Sequence, residues 1–182
     1  NHVAQGYFKS EEQTKETFDE DGWLHTGDLA EIDDEGYVKI IGRKKEILIT
    51  SAGKNIAPVE VEDLIKPPQL IGQVCGVGDG KKYLTALIVL DGDGGAEAWA
   101  SENNVEYSIA TMSKDQSVID AIQKQVDDAN SKVANVQQIK KFVVLEKEWT
   151  DSSGELTPTL KLKRNVIAEM YNDEIESMYE EG

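Results

Sequence analysis

At the start of the chain, polar and apolar residues form short helix and strand patterns, and turn-forming residues lie between these patterns. Residues 10–13, Ser-Glu-Glu-Gln, have the form of a capping box, which predicts a short helix ending near Phe18. Residues 29–32 and 37–41 flank the run Asp-Asp-Glu-Gly at 33–36, and this arrangement predicts a β-hairpin.

The rest of the chain alternates apolar strand patterns with helical ones. Pro58 follows a polar loop at 51–55 and suits the first turn of a helix that reaches about Ile65 and stops at Pro67 and Pro68. The other predicted elements are strands at 46–50, 74–77, 85–90 and 139–145 and helices at about 94–103, 114–133 and 162–179. Together they predict a mixed α/β fold with a boundary near residues 42–46.

Charge changes this picture because two basic segments interrupt a strongly acidic chain. The 182 residues carry a net charge of −16, which disfavours nucleic acid and anionic membrane surfaces as partners. Residues 40–57 hold four basic side chains against Glu46, and residues 158–166 hold three and no acid. Such small segments suit compact anions such as phosphates. The alternative is that they are solvated surface lysines.

Cysteine content and hydropathy argue against a disulfide-stabilised protein and against a membrane-spanning one. Cys75 is the single cysteine, so the chain has no internal disulfide, and its apolar neighbours predict a buried structural thiol. No apolar run approaches the length of about 20 residues that a membrane-spanning helix needs. The chain begins at Asn1 without methionine, and we expect it to be an excised fragment.

Four motifs then occur in a recognisable order. They are WLHTGD at 23–28, GRKKE at 42–46, GKNIAP at 53–58 and TPTLKLKR at 157–164. Together they resemble the C-terminal part of the adenylate-forming superfamily, which includes acyl-CoA synthetases, nonribosomal-peptide adenylation domains and firefly luciferase. The stretches at 156–164 and 77–89 are similar to the long-chain fatty acyl-CoA synthetase branch.

The resemblance implies a fold, a domain division and an activity. Residues 1–44 would be the tail of a large N-terminal domain, including the β-hairpin. Residues 45–182 would be a small mobile domain with a short central sheet flanked by helices. The implied enzyme is an ATP-dependent long-chain fatty acid–CoA ligase, which forms acyl-AMP and passes the acyl group to coenzyme A. It uses Mg²⁺ that the absent domain largely holds, so no metal ligand is assigned here. The fragment alone is expected to be inactive, and the implied location is the cytoplasm, with peripheral contact at the inner membrane face as an option.

The resemblance also implies roles for residues around the boundary. Asp28 would accept hydrogen bonds from the ribose hydroxyls of ATP, and Arg43 would contact the ribose and phosphate region. Lys45 would be the hinge, with Lys44 as the alternative if the register shifts by one. Simpler alternatives are a turn aspartate, a surface arginine in an ion pair and an exposed lysine without a role.

Two loops carry the remaining implied roles. Ser51, Ala52, Gly53 and Lys54 would enter the active site for the thioester step, where glycine leaves room for pantetheine. Lys161 would reach the α-phosphate and the reacting carboxylate during adenylation. Many relatives have glycine before this lysine, whereas this chain has Leu160. Lys163 therefore stays a competitor.

Two other functions remain open at this point. The chain could belong to an adenylation domain that loads a carrier protein, with the helix at 114–133 as the docking face. It could also be a standalone α/β binding module whose motifs arose by coincidence.

Overall fold

The computed structural model describes residues 4–66 and 69–180, and the chain divides into two compact units, Asn1–Lys45 and Glu46–Gly182. The first unit contains α1 (Glu11–Thr17), β1 (Asp28–Ile32) and β2 (Val38–Arg43). A 3-10 turn at Lys44–Glu46 lies at the division. The second unit contains β3 (Leu48–Ile49), β4 (Asn55–Ile56), α2 (Pro58–Ile65), β5 (Ile71–Val77), β6 (Leu84–Leu90), α3 (Gly95–Asn103), α4 (Ile109–Met112), α5 (Gln116–Asn130), β7 (Ile139–Val144), α6 (Arg164–Met170) and α7 (Asn172–Ser177).

The first unit is built around the predicted hairpin, which is confirmed. β1 and β2 pair antiparallel, and Oδ1 of Asp33 accepts from the backbone N–H groups of Glu35 and Tyr37 at 3.0 and 2.8 Å. An aspartate at the first turn position fixes the turn in this way because its side chain imitates a backbone carbonyl. The predicted capping bond of α1 is wrong: the side chain of Ser10 makes no such bond, and its carbonyl instead accepts from the hydroxyl of Thr14 at 2.7 Å.

The second unit is a three-stranded sheet with helices on both faces, as the predicted fold class requires. The strand order is β5-β6-β7; β5 and β6 are antiparallel, and β6 and β7 are parallel. All seven residues of β6 are buried, so the central strand has a helical layer on each side. This arrangement explains why its sequence is a continuous apolar run rather than an alternating one.

Alternate side chains of β6 enter two separate cores. Leu84, Ala86, Ile88 and Leu90 join a core formed with α2, α3 and α5. Leu87 and Val89 join a second core with Trp149, Leu156 and residues of α6 and α7. The period of two along the strand therefore separates the two layers.

Three predicted elements differ from the structure, and one observed helix was not predicted. The strand predicted over 46–50 shortens to β3 because Lys44–Glu46 turns as a 3-10 helix, and β4 pairs with it inside the predicted loop. The four-residue α4 has no counterpart in the prediction. The final helix is two helices that meet at Tyr171, whose hydroxyl donates to Oε1 of Glu155 at 2.9 Å. Before it, Leu162 forms a bridge with Leu156.

The helix stop at Pro67 and Pro68 lies outside the described residues. Across residues 4–66 and 69–180, no helix combines the length and the apolar character that a bilayer crossing requires.

Candidate functional site

Asp28 and Arg43 lie directly opposite each other at the open end of the β1–β2 pair. Nε of Arg43 is 3.0 Å from Oδ1 of Asp28, and the hydroxyl oxygen of Thr26 accepts from the backbone N–H of Asp28 at 3.1 Å. The register of the hairpin brings together two residues to which the resemblance gave one ligand, the nucleotide. The pair also agrees with the simpler alternative of a surface arginine in an ion pair. The sequence analysis did not predict this contact, because the register of the hairpin shifts between Leu29 and Ala30.

Lys44 and Lys45 lie in the 3-10 turn at the division between the units. The backbone N–H of Lys44 donates to the carbonyl of Gly27 at 2.8 Å, which ties this residue to the first unit. Both side chains are exposed, and neither forms an ion pair within the described parts of the chain.

Residues Ser51 to Lys54 form the turn of the β3–β4 hairpin. The backbone N–H of Gly53 donates to the carbonyl of Thr50 at 2.8 Å, and that of Thr50 donates to the carbonyl of Lys54 at 3.0 Å. Gly53 has φ +72°, and a Cβ there would meet no atom of the chain within 4 Å. The conformation, rather than crowding within the chain, therefore favours glycine at this position.

This turn rests on the loop between β5 and β6. The backbone N–H of Ser51 donates to the carbonyl of Lys81 at 2.9 Å, and that of Gly80 donates to the carbonyl of Ile49 at 2.8 Å. Oδ1 of Asp79 accepts from the N–H of Ile49 at 2.9 Å. Three hydrogen bonds thus fix the base of the turn while its tip stays in solvent.

Lys161 ends a tight loop that begins at Thr157. The carbonyl of Lys161 accepts from the N–H of Thr157 at 2.8 Å, and the hydroxyl oxygen of Thr157 accepts from the N–H of Lys161 at 3.1 Å. Leu160 has φ +59°, a left-handed conformation that glycine adopts at lower cost. The side chain of Lys161 is exposed and pairs with no acidic group in the described residues.

Lys163 occupies a different environment two residues later. Its backbone precedes α6 and donates to the carbonyl of Glu155 at 2.8 Å, and its side chain is half-buried. Lys161 is therefore the more exposed of the two lysines.

A buried ion pair that the sequence analysis missed lies directly behind this loop. Nη1 and Nη2 of Arg164 donate to Oε1 and Oε2 of Glu62 at 2.7 and 2.8 Å, and Glu62 is 2% exposed. Burial alone would lower the pKa of Arg164, but the hydrogen bonds and charge of Glu62 outweigh it and raise that pKa. The only signal in the sequence was an acidic residue on the apolar face of α2.

The metal that the resemblance implies finds no ligand set here. Among residues 4–66 and 69–180, no three His, Cys, Asp or Glu side chains are grouped to hold a metal ion. No residue of the described chain is therefore assigned to Mg²⁺.

Comparison with known sequences identifies the family. The profile of the AMP-binding enzyme C-terminal domain matches residues 45–182. The chain belongs to this family, and the second unit has its fold.

Curated relatives extend the similarity to the first unit. The chain is 41% identical over 178 residues to the putative fatty-acid–CoA ligase fadD11 of Mycobacterium tuberculosis, covering 97% of this chain and 31% of the relative. It is 42% identical over 198 aligned positions to the long-chain-fatty-acid–CoA ligase ACSBG2 of Gallus gallus, covering 98% and 26%. The chain thus spans less than a third of these relatives.

Solved structures give the same fold. The adenylation domain of a carboxylate reductase from Mycobacterium chelonae superposes with TM-score 0.75 at 25% identity, covering 96% of this chain and 26% of that one. The o-succinylbenzoate CoA synthetase MenE of Bacillus subtilis, in complex with the acyl-adenylate intermediate OSB-AMP, superposes with TM-score 0.60 at 25% identity, covering 91% and 28%.

Proposed function

We propose that the chain is the C-terminal part of an ATP-dependent long-chain fatty acid–CoA ligase. One observation carries the proposal: relatives named as fatty-acid–CoA ligases are about two-fifths identical to nearly the whole chain, at 41% over 97% for fadD11. Residues 1–44 are then the end of the large domain and residues 45–182 the mobile domain. The rest of that protein is the first partner, and ATP, a fatty acid and coenzyme A are the substrates, in the cytoplasm.

Lys161 stabilises the adenylation step in this proposal. The fatty-acid carboxylate attacks the α-phosphate of ATP, pyrophosphate leaves, and negative charge grows on the oxygens at phosphorus. An exposed ammonium on a flexible stem, free of an internal acidic partner among the described residues, can approach those oxygens without breaking an ion pair. It offsets charge and forms no covalent bond.

Asp28 and Arg43 bind the nucleotide. Arg43 contacts one carboxylate oxygen of Asp28, so the other oxygen can accept from a ribose hydroxyl. The guanidinium has donors beyond Nε for ribose or phosphate oxygens. The ion pair therefore pre-orients both side chains before ATP binds.

Lys45 and the turn Ser51 to Lys54 serve the second half-reaction. Rotation of the second unit about Lys45 would replace Lys161 by this turn at the reacting centre. The thiol of coenzyme A then attacks the acyl carbonyl and AMP leaves. The exposed tip of the turn, with glycine at its positive φ, suits contact with an extended pantetheine arm.

A carrier protein is the second candidate thiol donor. The observation that favours it is the similarity to an adenylation–carrier didomain of the carboxylic acid reductase from Segniliparus rugosus, with TM-score 0.70 at 25% identity over 96% of this chain and 23% of that one. The thiol in that case is tethered to a protein rather than free in coenzyme A.

The experiment compares this chain with the longer protein that carries it. Each is incubated with ATP and palmitate, with and without coenzyme A, and AMP release is measured. We expect the longer protein to release AMP and form palmitoyl-CoA, and this chain alone to do neither. Turnover by this chain at the rate of the longer protein would contradict the fragment assignment. Acyl transfer to a carrier protein but not to coenzyme A would select the second candidate.

A further inference from the structure

The loop that carries Lys161 is linked to α2 on its C-terminal side by Arg164. Arg164 begins α6 three positions after the lysine, and its side chain is only 16% exposed. Both of its terminal nitrogens donate to Glu62, one to each carboxylate oxygen. Such a bidentate contact fixes the orientation of the arginine side chain as well as its distance, because the guanidinium and carboxylate planes must align.

Glu62 is itself held from a third element. Its Oε1 accepts from the backbone N–H of Gly76 in β5 at 2.6 Å, and the side chain extends from α2. A Cβ at Gly76 would lie 3.2 Å from Oε1 of Glu62 and 3.0 Å from Cβ of Pro58, so the backbone approaches closely here. The carboxylate of Glu62 is therefore held in place by both α2 and β5.

Leu156 and Leu162 form a bridge and pack in the second core at the base of the loop, but the tip beyond them is exposed. Residues 158–161 are exposed, and the bonds between Thr157 and Lys161 close the loop on itself rather than on the sheet. The backbone N–H of Lys163 donates to Glu155, which lies on the other limb of the same hairpin. Arg164 thus links this lysine to α2 through Glu62, and its Nη1 also donates to Sγ of Cys75 in β5 at 3.7 Å.

Stability alone gives a weak reason for such a pair. Two charges lose their hydration on burial, and apolar residues of similar volume often stabilise a core equally well or better. What apolar packing does not provide is a fixed direction for the chain that leaves it.

We propose that Glu62 and Arg164 are positioning residues that set the direction in which Lys161 extends from the domain for the adenylation half-reaction. The inference rests on the proposed ligase function. Neither residue touches substrate; both act through the loop.

The test in the longer protein uses a volume-matched apolar pair, Glu62→Leu with Arg164→Met, and the milder single variant Arg164→Lys. Because a misplacement of about 1 Å can cost about 100-fold in rate, we expect adenylation to fall about 10- to 100-fold in the apolar pair. Arg164→Lys keeps the charge but loses the bidentate contact, so its rate of adenylation should fall less. Thioester formation from supplied palmitoyl-adenylate should keep its wild-type rate.

The control is Glu146→Gln, which removes a surface ion pair with Lys114 of 2.7 Å in the same unit. Both of its half-reactions should be unchanged. Equal loss in both half-reactions, or wild-type adenylation in the apolar pair, would overturn the inference. If the apolar pair does not fold, Arg164→Lys decides by the same criteria.

Hydrogen exchange on the present chain separates this inference from the ligase function. In Arg164→Lys, the amides of Thr157, Lys161 and Lys163 should exchange faster, while that of Gly53 should not change. Faster exchange of all four, or of none, would contradict the inference. If the wild-type longer protein shows no ligase activity, the ligase proposal fails, and the exchange pattern alone decides whether the pair orders the loop.

Discussion

Asp28 and Arg43 occupy facing positions on β1 and β2, with Nε of the arginine 3.0 Å from Oδ1 of the aspartate. The side chain of Asp28 is 26% exposed and that of Arg43 is 58% exposed, so solvent reaches both. An ion pair with this exposure contributes little to stability, about 0–1 kcal/mol. A functional role of this ion pair is therefore tested by nucleotide binding and not by stability.

In the longer protein, Asp28→Ala should raise KM for ATP about 10- to 100-fold, since hydrogen bonds to charged groups contribute about 1.5–3 kcal/mol. Asp28→Asn keeps one acceptor and should have a smaller effect. The matched control is Glu31→Gln, an exposed position on the same strand, which should leave KM unchanged. An unchanged KM in Asp28→Ala would contradict nucleotide binding by Asp28 and leave its surface ion pair as its only role.

Lys161→Ala should lower the rate of adenylation about 100- to 1000-fold, the usual effect of removing one group that stabilises transition-state charge. Thioester formation from supplied palmitoyl-adenylate should be spared. Lys163→Ala is the parallel variant and should keep adenylation near the wild-type rate, because its side chain is half-buried beside α6. The reverse order of effects would assign the role to Lys163.

Leu160→Gly should increase the free energy of unfolding by about 0.5–1 kcal/mol. The left-handed conformation costs leucine about 1–2 kcal/mol, and the extra freedom of glycine in the unfolded chain offsets part of the gain. Little burial is lost, because Leu160 is 66% exposed. Leu160→Val, branched at Cβ, should destabilise instead. Urea unfolding of both variants measures the difference, and a glycine variant less stable than wild type would show that φ +59° carries no strain.

Cys75 should not react with a thiol reagent at pH 8 until the chain is unfolded. Burial raises the pKa of its thiol to about 12, and only the thiolate is nucleophilic. Because the folded pKa lies above the unfolded value of about 8.5, the stability it contributes is complete below pH 8.5. Between the unfolded and the folded pKa, this contribution to stability falls by about 1.4 kcal/mol for each pH unit.

Urea unfolding between pH 8 and 10 measures this loss. Cys75→Ala is the control and should lose less stability over the same interval. Identical pH profiles for the two proteins would contradict the prediction, as would labelling of the folded chain at pH 8.

Tyr179→Phe should lower the free energy of unfolding by about 1–2 kcal/mol. Its hydroxyl lies 3.0 Å from Oγ1 of Thr85, 3.1 Å from the carbonyl of Val77 and 3.0 Å from that of Tyr83, all at the end of the β5–β6 pair. Tyr107→Phe removes an exposed hydroxyl and should stay within about 0.5 kcal/mol of wild type. Equal effects of the two variants would show that the contacts of Tyr179 contribute nothing.

Local patterns predicted most of the fold. The β1–β2 hairpin, α2 with Pro58 at its start, β6 and α5 follow from turn residues, a first-turn proline, a continuous apolar run and helical spacing. Each signal acts within a few residues, so the sequence displays it directly.

Contacts between distant segments could not be predicted in this way. The apolar spacing at 162–179 is continuous, yet the helix breaks at Tyr171 because that residue bonds to Glu155 and its ring packs 6.0 Å from that of Trp149. The pairing of Glu62 with Arg164 joins positions 102 residues apart. The roles of Asp28, Arg43, Lys45, Lys161 and the turn Ser51 to Lys54 came from resemblance and stay predictions.

The parallel pairing of β6 with β7 has a consequence for the order in which the chain folds. Leu84 pairs with Ile139, and α3, α4 and α5 lie between the two strands in sequence. During synthesis β6 leaves the ribosome well before its second neighbour exists. One edge of a wholly apolar strand is then unpaired, which is the type of surface that aggregates or recruits chaperones. Closing this long loop should limit the folding rate of the second unit.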